Sequence, residues 1–172
     1  MSSVLGLHHI GFTVPDMEQA VAFFRDMLGA ETIMECGSVD VDDEFMARHL
    51  GVPKGVKISD QRVLQIGRGG SLELFEYSGV EGAQEIKHNG EVGAMHMAFE
   101  VDDAYAVADR LRQAGADLLD GPTLIESGPM KNLVWLYLRC PWGQYLEIVS
   151  DRGALGYEAD GGPKLWTPSS GV

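Results

Sequence analysis

The sequence contains few cysteines and few basic residues, and each shortage excludes a class of protein. Cys36 and Cys140 are too few for a disulfide framework or a zinc knuckle, and free thiols are typical of a reducing compartment, so we expect a cytoplasmic protein. Lys and Arg together number 13 against 26 Asp and Glu, which gives a formal net charge of -13. Nucleic acids and anionic membranes are bound by basic surfaces, so we expect neither as a partner and a small molecule instead.

Long apolar runs are also missing. No stretch of about 18 consecutive apolar residues occurs, and the start, MSSVLGLHHIGF, has no basic region followed by an apolar one. We therefore expect neither a membrane span nor a signal peptide. The length fits a single domain, predicted at 1–150, followed by an irregular Gly- and Pro-rich arm at 151–172. Trp166 in this arm would seldom be left in water, so we expect the arm to dock over a cleft or on a partner subunit.

An internal repeat organises the domain. HHIGFTVPDMEQAVAFFRDMLGAE (8–31) is echoed by MHMAFEVDDAYAVADRLRQAGAD (95–117). Alternating apolar residues predict a strand in each copy, and the following helix begins after Asp16 or Asp103 as its N-cap. The later segments RVLQIG, SLELFEY, LVWLYLR and QYLEIVS are extended in character. We therefore predict an α+β fold with two modules, 7–78 and 94–150, each a strand, a helix and then three strands.

The two modules repeat one pair of ionisable residue types. Strand alternation puts His9 and His96 opposite the apolar positions of their strands. Glu73 and Glu147 likewise lie opposite the flanking aliphatic residues of LEL (72–74) and LEI (146–148). Each module therefore offers one histidine and one glutamate to the face that its helix leaves open. If two such sheets face one another, these groups meet in a cleft, and their donor set suits one divalent Zn, Ni, Co, Mn or Fe ion.

These segments resemble the vicinal oxygen chelate superfamily, which includes glyoxalase I, methylmalonyl-CoA epimerase, extradiol dioxygenases and the bleomycin and fosfomycin resistance proteins. The resemblance runs from about Leu7 to Ser150 and rests on LHHIGFTVPDMEQAVAFF, SLELFEY, GAMHMAFEVDD and PWGQYLEIVS. It implies a paired βαβββ fold with four metal-ligand positions, all filled here, by His9, Glu73, His96 and Glu147. The filled set is similar to the glyoxalase I and epimerase branch. Members of that kind are often homodimers, and the sequence leaves open whether one chain or two supplies the ligands.

The chemistry that this resemblance implies is proton transfer beside a carbonyl. A divalent ion polarises the carbonyl and stabilises the anion that forms when the adjacent carbon loses its proton. A nearby carboxylate can take that proton and return it elsewhere, as an isomerase, epimerase or lyase of the glyoxalase type requires. We predict Glu147 as the mobile base and Glu73 as the second acid/base group. The alternative is that both are ligands only and another group moves the proton.

Aromatic residues on the same strand faces, Phe75, Tyr77 and Tyr145, are the predicted substrate contacts. The chain also shows no run of basic residues of the kind that coenzyme A or glutathione usually requires, which disfavours both as parts of the substrate. His8 has the opposite strand parity to His9, and we predict that it does not bind metal. His49 and His88 are predicted to be solvated in a helix or loop.

The first module is longer than the second, because His9 to Glu73 spans 64 positions and His96 to Glu147 spans 51. We assign the surplus to 37–59, where DDEFMARHLG predicts a short helix ended by Gly51. Phe45, Met46 and Arg48 in that helix are candidates for a substrate wall, and the alternative is a packing appendage or a dimer contact.

Two other functions stay open at this point. An Fe(II) site could activate oxygen on a catechol-like substrate, with Glu73 as a spectator. A metal-free protein could instead hold a drug or metabolite among the aromatic residues. Oxygen consumption distinguishes the first function, and retention of function in the presence of a chelator distinguishes the second.

Overall fold

The computed structural model describes residues 6–82, 85–159, 161 and 164–170. The chain divides into two compact units, Met1–Gln84 (unit 1) and Glu85–Val172 (unit 2). Each unit runs from a strand through a helix into further strands, and the predicted α+β class with a strand–helix–strands order in each half is confirmed. Within the described residues, no helix is long and apolar enough to cross a membrane.

Unit 1 is one mixed sheet with a helix. Its elements are β1 (His9–Thr13), α1 (Met17–Leu28), β2 (Glu31–Glu35), α2 (Asp43–Phe45) with a π-helix (Met46–Leu50), β3 (Lys57–Gln65) and β4 (Ser71–Ser78). The strands lie in the order β1-β4-β3-β2. β1 is parallel to β4, and the other pairs are antiparallel. β4 therefore lies beside β1, which brings the glutamate strand next to the histidine strand.

Unit 2 repeats this arrangement with shorter connecting strands. Its elements are β5 (His96–Glu100), α3 (Ala104–Gln113), β6 (Asp117–Leu118), β7 (Thr123–Leu124), β8 (Leu133–Arg139), β9 (Tyr145–Asp151) and α4 (Gly156–Ala159). The sheet has the order β5-β9-β8-β6, and β7 also pairs with β8. The expected single strand after the helix is thus replaced by two short ones that pair with different parts of β8.

Both helices begin where the sequence predicts. The Asp16 carboxylate accepts the Gln19 N–H at 2.9 Å, and the Asp103 carboxylate accepts the N–H groups of Tyr105 and Ala106 at 2.9 and 3.3 Å. Such a cap satisfies amides that have no partner within the helix. Unit 1's helix ends at Gly29, whose φ of 70° lies in the left-handed region that glycine adopts without a Cβ penalty.

A second contact fastens each helix to the strand that carries the site glutamate. The Met17 N–H donates to Glu76 Oε2 at 2.6 Å, and the Ala104 N–H donates to Ser150 Oγ at 3.1 Å. Glu76 and Ser150 each follow the glutamate of their strand by three residues. The start of each helix is therefore held in register with the strand of its own unit that carries the candidate glutamate.

The strand alternation matches the sequence prediction in both units. Leu72 and Leu74 of β4 are buried, and so are Leu146 and Ile148 of β9. These residues lie on the face that the helices cover, where α1 supplies Phe24 and α3 supplies Leu111 to the buried set. The glutamate between each aliphatic pair is left partly exposed on the opposite face, with 21% of the Glu73 side chain and 14% of the Glu147 side chain accessible.

The two accessory segments differ in part from expectation. The predicted short helix after Asp42 is present, capped by that carboxylate and ended by Gly51 at φ 67°. The C-terminal arm is less irregular than predicted, since Asp151 belongs to β9 and Gly156–Ala159 form a helical turn. The arm docks within unit 2 through Ser169, whose N–H and Oγ donate to the Glu100 carboxylate at 2.9 and 2.6 Å. Trp166 does not hold the arm in this way, since it is 62% exposed.

Candidate functional site

Unit 1 brings His9 and Glu73 together on the sheet face opposite α1. In the parallel β1–β4 ladder, Gly11 is the register partner of Glu73, so the glutamate lies one side-chain step along the strand from His9. His9 Nε2 lies 3.1 Å from Glu73 Oε2. A Cβ at position 11 would lie 3.6 Å from Glu73 Oε2, and the glycine there leaves that space beside the carboxylate open.

Unit 2 places His96 and Glu147 in the same relation. Ala98 is the register partner of Glu147 in the parallel β5–β9 ladder. His96 Nε2 lies 3.3 Å from Glu147 Oε2. Burial raises the pKa of Glu147, while the neighbouring His96 opposes that shift. A half-buried carboxylate of this kind is stabilised when a cation lies beside it.

These distances suit two ligands of one metal ion. An ion that binds two ligands at about 2.1 Å holds the donor atoms about 3.0 Å apart at a right angle and about 3.4 Å apart at the tetrahedral angle. The measured separations of 3.1 and 3.3 Å lie between these values. Each unit by itself supplies one such pair, and the described residues contain no group of three or more His, Cys, Asp or Glu side chains. The donor chemistry of both pairs therefore fits a divalent cation.

The two His–Glu pairs differ in the side chains that contact them from the neighbouring strand. In unit 1 the Gln61 amide on β3 donates to Glu73 Oε1 at 2.7 Å. In unit 2 the Tyr137 hydroxyl on β8 lies 3.3 Å from His96 Nε2, with the two rings edge to face. Burial and the Glu147 charge raise the pKa of Tyr137, so this phenol stays protonated.

Sequence reasoning did not single out Gln61 or Tyr137. Gln61 lies outside the predicted strand RVLQIG (62–67), because β3 actually begins at Lys57. Tyr137 was detectable, since it alternates with Leu136 and Leu138, which are fully buried. That alternation places Tyr137 on the same open face as its register partner Glu147.

The predicted aromatic contacts divide into two kinds. The rings of Phe75 and Tyr77 stack on the open face of β4 with centroids 6.0 Å apart. Burial and the Glu73 charge raise the pKa of Tyr77. Tyr145 is instead buried, and its hydroxyl lies 3.2 Å from His88 Nδ1. His88 is exposed in a loop, as predicted, and its ring also contacts strand β9 through this hydroxyl.

The three residues predicted to form a substrate wall differ in their exposure to solvent. Met46 is 0% exposed and packs in the core of unit 1, so the predicted surface role for Met46 is corrected. Its neighbours lie outside: Arg48 is exposed and pairs with Glu44 at 3.1 Å, and Phe45 is exposed against the His49 ring at 4.5 Å. The helical period explains the division, since adjacent residues of a helix point about 100° apart.

His8 was predicted, from its opposite strand parity, not to bind metal. The structure places its Nδ1 2.8 Å from His9 Nδ1, with the rings edge to face. His8 precedes β1, so strand parity does not govern its direction. It therefore contacts the ring nitrogen of His9 that faces away from Glu73.

Comparison with known proteins gives one family. The model of the Glyoxalase/Bleomycin resistance protein/Dioxygenase superfamily matches residues 6–148. The chain is 33% identical over 168 residues, 95% of its length, to a 2-epi-5-epi-valiolone epimerase from Actinomyces sp., of which it covers 89%. Members of the superfamily thus include epimerases.

Solved structures show the same fold. A glyoxalase family protein from Bacillus cereus aligns with a TM-score of 0.71 at 17% identity, covering 88% of this chain and 97% of that one. The fosfomycin resistance protein FosX from Listeria monocytogenes, solved with Mn(II) and sulfate, aligns with a TM-score of 0.58 at 18% identity. That alignment covers 91% of this chain and 99% of FosX. With its two strand–helix–strands units and the match over residues 6–148, the chain belongs to the Glyoxalase/Bleomycin resistance protein/Dioxygenase superfamily.

Proposed function

We propose that the protein is a divalent-metal-dependent epimerase that exchanges the proton beside the carbonyl of a small polyhydroxylated cyclic ketone. The observation that carries the proposal is the recurrence of one His–Glu pair, at 3.1 and 3.3 Å, at equivalent positions of both units. The relative that is 33% identical over nearly the whole chain is named for the epimerisation of 2-epi-5-epi-valiolone, which supports the reaction type.

The four repeated residues are the proposed metal ligands. His9 and His96 would hold the ion through Nε2, the ring atoms that face their glutamates, and Glu73 and Glu147 would hold it through a carboxylate oxygen. Zn, Ni, Co, Mn and Fe all accept such mixed imidazole and carboxylate ligands. When bound, the ion polarises the substrate carbonyl and makes the neighbouring C–H more acidic.

Glu147 is the proposed proton acceptor. Among the described residues its carboxylate contacts His96 and receives no amide or hydroxyl hydrogen bond, so Oε1 is available to a substrate C–H. The proton moves from the carbon to this carboxylate, and the electron pair of the broken C–H bond is delocalised onto the carbonyl oxygen. Return of a proton to the opposite face of that carbon, from a group that exchanges with solvent, gives the epimer.

The polar groups of the two sheet faces favour an uncharged, hydroxyl-rich substrate. Unit 1 presents the Tyr77 phenol, and unit 2 presents the phenol of Tyr137. These groups bind hydroxyls by donating or accepting hydrogen bonds. Arg139, on the same face of β8 as Tyr137, is already paired with Asp117 at 2.8 Å. A phosphate- or carboxylate-rich carrier such as coenzyme A calls for unpaired cations instead.

The test is isotope exchange in D2O. Metal-free protein is loaded with one of the five candidate metals and mixed with 2-epi-5-epi-valiolone, with a methylmalonyl thioester and with a hemithioacetal, while proton NMR follows the C–H next to each carbonyl. We expect deuterium at that carbon and a second stereoisomer with the cyclic ketone alone, and loss of both when the metal is chelated.

Other outcomes overturn specific parts of the proposal. Exchange with the thioester or hemithioacetal but not with the cyclic ketone contradicts the substrate class. Oxygen uptake stoichiometric with product contradicts proton transfer and supports a dioxygenase. Undiminished ligand binding or turnover after chelation contradicts the metal requirement.

A further inference from the structure

We propose that Gln61 is a positioning residue that holds Glu73 as a metal ligand and keeps it out of proton transfer. This inference rests on the proposed metal site and assigns different tasks to two glutamates that the repeat makes equivalent. It starts from the hydrogen bond of 2.7 Å between Gln61 Nε2 and Glu73 Oε1.

The geometry engages both oxygens of Glu73. Oε1 accepts the Gln61 amide, and Oε2 lies 3.1 Å from His9 Nε2. Gln61 is the register partner of Phe75, two residues beyond Glu73 on β4, so its side chain reaches diagonally across the ladder to the carboxylate. The contact is part-buried, where a hydrogen bond is stronger than in water. An amide N–H held against one oxygen fixes the carboxylate torsion and leaves the other oxygen for the metal.

Unit 2 has no corresponding restraint on Glu147 among the described residues. By register, the position on β8 that matches Gln61 is Trp135, the partner of Val149. The indole ring of Trp135 packs edge to face on Tyr137 at 5.6 Å. The hydroxyl of Tyr137 contacts His96. The neighbouring strand thus holds the carboxylate in unit 1, whereas in unit 2 it places a phenol beside the imidazole and leaves the carboxylate without such a contact.

A proton carrier needs an oxygen that is free to approach the substrate carbon and to rotate away with the proton. Glu73 lacks this freedom because its Oε1 accepts the Gln61 amide and its Oε2 lies 3.1 Å from His9 Nε2. Glu147 retains it. Gln61 therefore separates the two carboxylates by function without touching the reacting atoms.

The test compares the matched variants Gln61→Leu and Gln65→Leu. Gln65 lies on the same strand and face, but its amide donates to the carbonyls of Gly67 and Gly69. The dissociation constant for Co(II) is measured by competition with a chromophoric chelator, and the visible absorption of bound Co(II) reports its coordination. We expect Gln61→Leu to weaken Co(II) binding about 10-fold or more and to change the absorption spectrum. Gln65→Leu should leave both unchanged.

The outcomes separate this inference from the proposed function. Wild-type affinity and an unchanged spectrum in Gln61→Leu overturn the inference, while a wild-type protein that binds no Co(II) overturns the metal site itself. If Gln61→Leu does not fold, as judged by circular dichroism, Gln61→Asn replaces it. That variant keeps the amide but withdraws it by one methylene, and the same loss of affinity is expected.

Discussion

Units 1 and 2 share a strand–helix–strands order and one His–Glu pair, yet their neighbouring strands contact different members of that pair. β3 donates an amide to Glu73, whereas β8 directs a phenol to His96. The two units therefore share the strand positions of the proposed ligands and differ at the adjacent positions. Equivalent backbone positions do not imply equivalent roles, because a role depends on which atoms of the side chain remain free.

The largest expected effect tests whether the two histidines are equivalent. His9→Ala and His96→Ala should each lower metal affinity by at least about 100-fold. Removing a hydrogen-bond partner of a metal ligand costs up to about 100-fold in affinity, and removing the ligand itself should cost at least as much. Metal content after dialysis, read beside the thermal melting curve, measures this. If one variant keeps its metal, the ion is held by one unit's pair and the four-ligand assignment is wrong.

The two glutamates should respond differently to the same substitution. Glu147→Gln keeps a coordinating oxygen but removes the base, so turnover should fall by roughly 100-fold or more with much of the metal retained. Glu73→Gln should mainly weaken metal binding and lower turnover less at saturating metal. Steady-state rates across a metal titration distinguish these patterns. Equal losses of turnover at saturating metal would show that both carboxylates carry protons.

The hydrogen bonds that hold the first amides of α1 and α3 allow the two units to be compared by the stability that each bond contributes. Ser150 is 2% exposed, and its hydroxyl is the acceptor for the first amide of α3. Ser150→Ala leaves that buried amide without its acceptor and should cost about 1–3 kcal/mol in urea unfolding. Glu76→Gln in unit 1 keeps an oxygen for the Met17 amide and should cost less. A smaller loss for Ser150→Ala than for Glu76→Gln would contradict the assigned contacts.

The cysteines give the smallest and simplest contrast. Cys36 of unit 1 is exposed, whereas Cys140 of unit 2 is buried, which raises the pKa of its thiol to about 12. A labelling reaction at about pH 8 is far below this pKa, so the Cys140 thiol stays protonated and unreactive. A thiol-specific disulfide reagent should therefore modify one cysteine per native chain and both in denaturant. Fast modification of both in the native protein would contradict the burial of Cys140.

Much of the fold could be predicted from local sequence patterns. The N-caps Asp16 and Asp103, the buried aliphatic pairs of β4 and β9, and the helix after Asp42 are all where the sequence predicts them. Each depends on residues near one another in the chain. The role of Met46 was predicted wrongly, because a residue of a short helix can face inward or outward and the sequence does not specify the orientation of so short a segment.

The sequence by itself determined which residues recur and which strand face they occupy, because side-chain alternation and helix capping are local properties of the backbone. It did not determine their supporting contacts. Gln61 reaches Glu73, Tyr137 reaches His96 and His88 reaches Tyr145. Those contacts depend on the register between strands and on how loops return to them, and tertiary packing decides both.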